Sequence, residues 1–504
     1  MFKRSSGILM HISSLPSEYG IGDFGKKAYE FVDFLNKTGQ KLWQILPLGP
    51  TGYGDSPYQS YSAFAGNYIF IDIEEFVEKG YIGEEDLTPL KNINYDDNLD
   101  YEQVKNEKSK LLNNIFLKFE EELSKNTELK EEYNAFLKKN SYWLEDYVLY
   151  MVLKDKFGGI PWQNWSKIYK NRVKNKFEIT EMDEKRLEYY RFLQYTFYRQ
   201  WDKLKKYANS KGVKIIGDIP IFVATDSADT WSKPEIFQFT KSKRPKRVAG
   251  CPPDYFSKTG QLWGNVLYDW KKLKKTKYKW WIDRIKFCFE IYDIVRIDHF
   301  RGFEAYWSIK YGEKTAIRGH WEKGPGIEFF RTIEKKLGKL PIIAEDLGLL
   351  TSKVEKLLKR TGYPGMRVLE FAFGDDDNNN YLPHRYSKNC VAYTGTHDND
   401  TVVGWYEKLD PATKERCDEY LKRWLSDRDR NYWNPIEWRS IETLWSSVAV
   451  MVLIQMQDLL GLGSSARMNT PSTVGINWKW RLQEEDLTED IKARLEEITK
   501  IFNR

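Results

Sequence analysis

The chain has 504 residues, 41% hydrophobic and 30% charged, and its 79 basic and 73 acidic groups leave a formal net charge of only +6. That is the balance of an ordinary soluble globular protein, and it speaks against a nucleic-acid partner. No apolar run reaches the roughly 18 residues of a membrane span, and Ile8-Leu9-Met10 behind Lys3 and Arg4 is too short for a signal peptide and stops at His11, so a cytoplasmic protein without a membrane partner is expected.

In chain order, short β-rich apolar runs ending in Gly, Pro or carboxylates fall at 7–11, 42–47, 213–218, 292–298, 341–346, 366–370 and 389–394. An eighth is placed near 459–467. Continuous apolar strands separated by helical stretches read as a parallel sheet covered by helices. Eight of them predict an α/β fold, a closed (β/α)₈ TIM barrel, whose functional residues sit at the carboxyl ends of the strands. The 72–210 segment, rich in Lys, Glu and Leu, is too long for a loop and is expected to be a mainly helical insertion. A second, aromatic-rich insertion is expected at 222–281. The chain should end in an amphipathic helix carrying Ile491, Leu495, Ile498 and Phe502 at helical spacing.

Cysteines 251, 288, 390 and 417 show no C-x-x-C spacing and no cluster with histidine, so neither a metal nor a disulfide framework is expected. The run Lys271-Lys272-Leu273-Lys274-Lys275 is read as a solvated helix face. The 19 Trp, 32 Tyr and 27 Phe make up 15% of the chain, many of them beside Gly, Pro, Asp and Asn. A flat ring beside a polar side chain suits the face of a sugar, which makes a carbohydrate ligand a natural candidate.

Three of the expected strand ends carry a carboxylate. In Arg296-Ile297-Asp298-His299, alternation puts Arg296 and Asp298 on one face. Pairing of the two would lower the Asp298 pKa and keep it ionised, as a nucleophile must be; it would equally suit a structural ion pair. Glu345 follows Ile342-Ile343-Ala344, where apolar neighbours would raise its pKa and fit it for acid catalysis. His397 and Asp398 follow the run at 389–394; singly they would suit a satisfied histidine and a helix cap. Glycosidic cleavage needs two carboxyl groups flanking the bond, and a third can hold sugar hydroxyls.

The segment from Arg296 to Trp307 resembles the nucleophile motif of amylomaltases and plant disproportionating enzymes, glycoside hydrolase family 77. Further segments of the same family appear in order. They are Gly54-Asp55-Ser56-Pro57-Tyr58-Gln59, Gly217-Asp218-Ile219-Pro220, Ala249-Gly250-Cys251-Pro252-Pro253-Asp254-Tyr255-Phe256-Ser257, Gly260-Gln261-Leu262-Trp263-Gly264-Asn265, Ala344-Glu345-Asp346-Leu347-Gly348, His397-Asp398-Asn399-Asp400-Thr401 and Arg467-Met468-Asn469-Thr470-Pro471. The departures are small: Val266, Ser472 and Cys251 stand where Pro, Gly and an aliphatic residue are usual. The resemblance implies a 4-α-glucanotransferase acting on α-1,4-glucans and maltooligosaccharides by a retaining mechanism, without cofactor or metal, as a monomer or homodimer. It implies Asp298 as nucleophile, Glu345 as general acid/base and Asp398 as the third, stabilising carboxylate. Tyr58, Asp218, Asp254, Tyr255, Phe256, Trp263, Asn265, Arg296, His397 and Asn469 are implied at the substrate, with 250–264 as a lid on the acceptor side. An α-amylase-type hydrolase and a non-catalytic glucan-binding protein are the rival readings; the intact carboxylate trio speaks against the second.

Overall fold

A computed structural model describes residues 2–93, 99–253, 257–348, 350–374, 379–422 and 435–504. Its strands, in chain order, are β1 (Ser5–Leu9), β2 (Leu42–Gln44), β3 (Lys214–Ile219), β4 (Arg247–Cys251), β5 (Gln261–Val266), β6 (Ile294–Ile297), β7 (Ala305–Lys310), β8 (His320–Lys323), β9 (Ile342–Ala344), β10 (Gly365–Val368), β11 (Cys390–Tyr393) and β12 (Met451–Gln455). Eight of these close a barrel in the order β1-β12-β11-β10-β9-β6-β3-β2, every pairing parallel. The other four form an antiparallel sheet in the order β5-β4-β7-β8.

Strand alternation sorts the side chains. Leu42, Ile216, Ile294, Ile343, Met366, Val368, Val391, Tyr393, Met451 and Leu453 pack with one another as the barrel's filling. Their neighbours Trp43, Ile215, Val295, Ala392 and Val452 belong to the larger core beneath the helices. The filling is therefore layers of branched side chains, as this architecture requires. Toward the carboxyl ends the inward positions turn polar: the Tyr393 hydroxyl donates to Gln44 Oε1 at 2.8 Å, and Asp218 and Arg296 lie side by side in the β3–β6 register. Gly217, just before Asp218, has no room for a side chain, since a Cβ would stand 2.2 Å from the Tyr292 ring.

Between β2 and β3 run three long helices, α1 (Tyr101–Lys125), α2 (Thr127–Lys156) and α3 (Glu181–Ser210). Asp100, Asn126 and Thr180 cap their first turns by accepting main-chain N–H groups, and Thr180 does so in a reciprocal box with Asp183. On α1 the buried face Val104, Lys108, Leu111, Leu112, Ile115, Phe116 and Phe119 follows the helical repeat. Its one cation, Lys108, is neutralised and solvated from within: it donates to Ile69 O at 2.7 Å and Ile71 O at 2.9 Å, with Asp23 at 3.4 Å. The helix Trp270–Lys275 buries Leu273 and turns its lysines outward, Lys274 reaching Glu328 at 2.7 Å. The chain ends in the helix Glu489–Ile501, with Leu495 and Ile498 buried. No helix among the described residues is long and apolar enough to cross a membrane.

The eighth barrel strand is Met451–Gln455, not the expected 459–467, which forms the end of a short helix (Met456–Leu459) and a 3₁₀ turn (Ser464–Ala466). The continuous apolar run 449–454, closed by Gln455, carries the strand, whereas the later Leu459-Leu460-Gly461-Leu462 is apolar too but lies at the end of a helical turn, and a short apolar run alone does not tell strand from helix.

Candidate active site

The carboxyl ends of the barrel strands carry the charged groups. The β6–β9 register pairs Val295 with Ile342, Arg296 with Ile343 and Ile297 with Ala344. Asp298 and Glu345 are therefore the next residues on adjacent strands, each just past the last ladder position. Asp298 N–H still donates to Ile219 O on one side, and Glu345 N–H to Ile297 O on the other, both at 3.0 Å.

Glu345 is 9% exposed. Its two carboxyl oxygens each accept a main-chain N–H at 2.7 Å, Oε2 from His299 and Oε1 from Leu347. The first bond depends on His299 adopting a left-handed conformation, φ 48°, an uncommon one for a non-glycine residue. Those donors, and Arg296, favour the charged form, but burial and the nearby Asp298 outweigh them and push the carboxyl up to about 8. At neutral pH Glu345 holds a proton.

Asp298 keeps 28% of its side-chain surface and lies 3.1 Å from Arg296 Nη2. The expected lowering of its pKa by Arg296 does not prevail. Desolvation, with Asp218 and Asp398 adding in the same direction, carries Asp298 up to about 6. It remains the more acidic partner of the pair and is mostly ionised at pH 7. Arg296 is shared: its Nη1 donates to Asp218 Oδ2 at 2.5 Å, and the Tyr58 hydroxyl donates to that same oxygen at 2.6 Å. Asp218, Arg296 and Asp298 thus form a chain of alternating charge, buried at Asp218 and Arg296 and open to the rim at Asp298. Burial of Tyr58 holds its phenol protonated, as a donor must be.

Asp398 comes from the loop after β11. It does not cap the helix that follows; Thr401 does, accepting from Gly404 N–H. Its carboxylate, 47% exposed, lies 3.4 Å from His397 Nε2 and accepts from Asn469 Nδ2 at 2.5 Å. Burial lowers the His397 pKa, so its ring is neutral. That ring stacks on Tyr58, with centroids 5.2 Å apart and planes 13° from parallel, and Trp478 closes on both at 6.0 Å. Trp263 meets the His299 ring edge-on at 4.8 Å. Asn265 is 5% exposed; it donates to Val223 O at 3.0 Å and accepts from Gln59 at 3.2 Å, bracing β5 against the chain beyond β3.

The structure therefore brings Tyr58, Asp218, Arg296, Asp298, Glu345, His397, Asp398 and Asn469 to one rim, with Trp263 and Asn265 beside it. Asp254, Tyr255 and Phe256 lie outside the described residues; the segment 250–264 leaves from the end of β4 and returns as β5. Trp478 was not foreseen, since nothing local in Ile476-Asn477-Trp478 marks it. Nor was the main-chain N–H of His299, a group that every residue type but proline offers.

A closed parallel barrel with carboxyl groups of split acidity at its carboxyl-terminal rim is built for acid–base and carboxylate chemistry, as used on glycosidic bonds. The family described as 4-alpha-glucanotransferase, glycoside hydrolase family 77, matches residues 10–488. The 4-alpha-glucanotransferase of Clostridium butyricum is 50% identical over 501 residues, covering 98% of this chain and 100% of its own. That of Thermus thermophilus is 44% identical over 99% of both chains. The amylomaltase from Streptococcus agalactiae, solved in complex with acarbose, superposes with a TM-score of 0.94 at 42% identity, covering 100% of both chains. The chain belongs to the 4-alpha-glucanotransferase family and is an enzyme with that activity.

Proposed function

We propose that this enzyme transfers α-1,4-glucan segments by a retaining double displacement in which Asp298 is the nucleophile and Glu345 the acid and base. The observation that carries the reading is the adjacency of the two carboxyl groups with different protonation: one mostly ionised at pH 7, its neighbour holding a proton. In the first step Asp298 attacks the anomeric carbon as the C1–O4 bond breaks, and the Glu345 proton goes to the departing O4. In the second, Glu345 takes the proton of an acceptor 4-hydroxyl, that oxygen bonds to C1, and Asp298 leaves. Two inversions give retention. Asp398, backed by Asn469 and His397, holds hydroxyls of the distorted sugar, and the alternating charges of Asp218 and Arg296 fix the nucleophile.

Maltooligosaccharides are the substrates the reading requires. The similar S. agalactiae amylomaltase in complex with acarbose supports it, as do the aromatic side chains Tyr58, Trp263 and Trp478 at the rim. The family resemblance gives the segment 250–264 the role of limiting water at the intermediate on the acceptor side, with Asp254, Tyr255 and Phe256 as its sugar contacts. Scattered thiols suit a cytoplasmic setting.

The test is incubation with maltotriose and chromatography of the products. Glucose together with chains longer than maltotriose, at nearly constant total reducing ends, is the expected result. A steady rise in reducing ends with no longer product would make the enzyme a hydrolase.

A further inference from the structure

We propose that Arg467 is a positioning residue for the transfer reaction, locking the third carboxylate and its amide partner into one rigid unit; the inference rests on the reading of Asp398 as the carboxylate that holds the distorted sugar. Two donors of one guanidinium are spent on two main-chain carbonyls. Arg467 Nη2 donates to Asp398 O at 2.6 Å and Nε to Asn469 O at 2.8 Å. Asn469 in turn donates from Nδ2 to Asp398 Oδ1 at 2.5 Å. The three residues make a ring that fixes both the backbone and the side chain of Asp398.

Asp398 needs such help. It lies on a loop and not on the strand, its carboxylate is about half exposed, and within its own loop its N–H finds only Thr396 Oγ1, at 3.3 Å. The loops after β11 and β12 are also tied at Asp400, whose carboxylate accepts from Ser464 at 2.9 Å and whose carbonyl accepts from Gln455 at 3.0 Å. Those ties lie two residues further along. They hold the loop in place but do not reach Asp398 itself, whose following peptide is held at its N–H side by Asn399 donating to Thr396 O at 3.0 Å and at its carbonyl side by Arg467. Because both acceptors of Arg467 are carbonyls, what it supplies there is direction, not pairing with a carboxylate. A planar fork with two donors at a fixed angle does this, and a lysine ammonium does not.

The experiment compares Arg467→Ala, Arg467→Lys and Asp398→Asn with the wild type on maltotriose, reading kcat and KM separately alongside thermal unfolding. Misplacement of a reacting or stabilising group by about 1 Å costs on the order of a hundredfold in rate. We expect Arg467→Ala to lose kcat on that scale with KM little changed and the unfolding midpoint preserved, Arg467→Lys to recover little, and added ethylguanidinium to restore a large part of the Arg467→Ala loss. A kcat near wild type in Arg467→Ala, or a loss that follows a fall in stability and ignores the guanidinium, would overturn the positioning role. If Asp398→Asn keeps its activity, the reading of Asp398 fails instead, whatever Arg467 does.

Discussion

Asp298 and Glu345 stand next to each other as the first residues past the paired ends of β6 and β9, the Asp298 side chain partly exposed and Glu345 buried. Their closeness makes them one titrating system, with apparent values of about 6 and about 8. The proposed mechanism needs the first deprotonated and the second protonated. The pH dependence of kcat/KM on maltotriose should therefore be a bell with an acid limb near 6 and an alkaline limb near 8. A rate still rising above the alkaline value would contradict the assignment of Glu345.

The same raised value makes Glu345 a stability switch. Its folded-state value lies above the usual 4.5, so its stabilising contribution is complete below the unfolded value and is lost as pH rises through the folded one. Glu345→Gln cannot ionise. Its unfolding midpoint relative to wild type should climb between pH 4 and pH 9 by several degrees, whatever the offset from placing an amide against two N–H donors. A difference that stays constant across that range would show that Glu345 is not protonated in the fold.

The roles proposed for Glu345 and Asp298 separate by leaving group. Glu345→Ala should lose about 10²–10⁴-fold on maltotriose, the range typical of general acid–base catalysis, but far less in the first step on an α-maltosyl fluoride, whose fluoride leaves without a proton. Asp298→Asn should be inactive on both. Mass spectrometry of Glu345→Ala after the fluoride donor, before acceptor is added, should find the sugar on the peptide containing Asp298.

Arg296 links the fully buried Asp218 to the partly exposed Asp298. Arg296→Met leaves both Asp218 and Asp298 without their cation, and breaking a buried pair in this way costs about 3–5 kcal/mol. Urea denaturation measures that loss. In whatever folded enzyme remains, the acid limb should move upward, because Arg296 is what holds Asp298 down.

Much of this was legible in the sequence for a physical reason. A strand buried on both faces is a continuous apolar run, so a carboxylate at its end is conspicuous, and Asp298 and Glu345 stood out in that way. The eighth strand, Met451–Gln455, is not where the reading of 459–467 puts it, because short apolar stretches occur on both sides of Gln455-Met456-Gln457-Asp458 and length alone does not say which is the strand. The direction of the Asp298 shift was misjudged because charge partners are visible in Arg296-Ile297-Asp298 whereas depth of burial is not. The stack of Tyr58 on His397 under Trp478, and the ring through Arg467, join residues far apart in the chain; no local pattern encodes such a meeting.

The closure of β1 onto β12, where Ser5 pairs with Met451 and Leu9 with Gln455, bears on how the protein is made. β1 is made before every other strand of the barrel and gains its second neighbour only from the last of them. Until then a newborn chain carries an open, apolar strand edge, the kind of surface that recruits other chains. The helices between β2 and β3 emerge early, but the rim that would hold sugar, with Asn469 and Trp478 supplied from beyond β12, cannot exist on any shorter nascent chain. Synthesis that stalls before the last strand should yield an aggregation-prone intermediate with no affinity for glucan, and a cell making this enzyme quickly would draw on its chaperones to guard that edge.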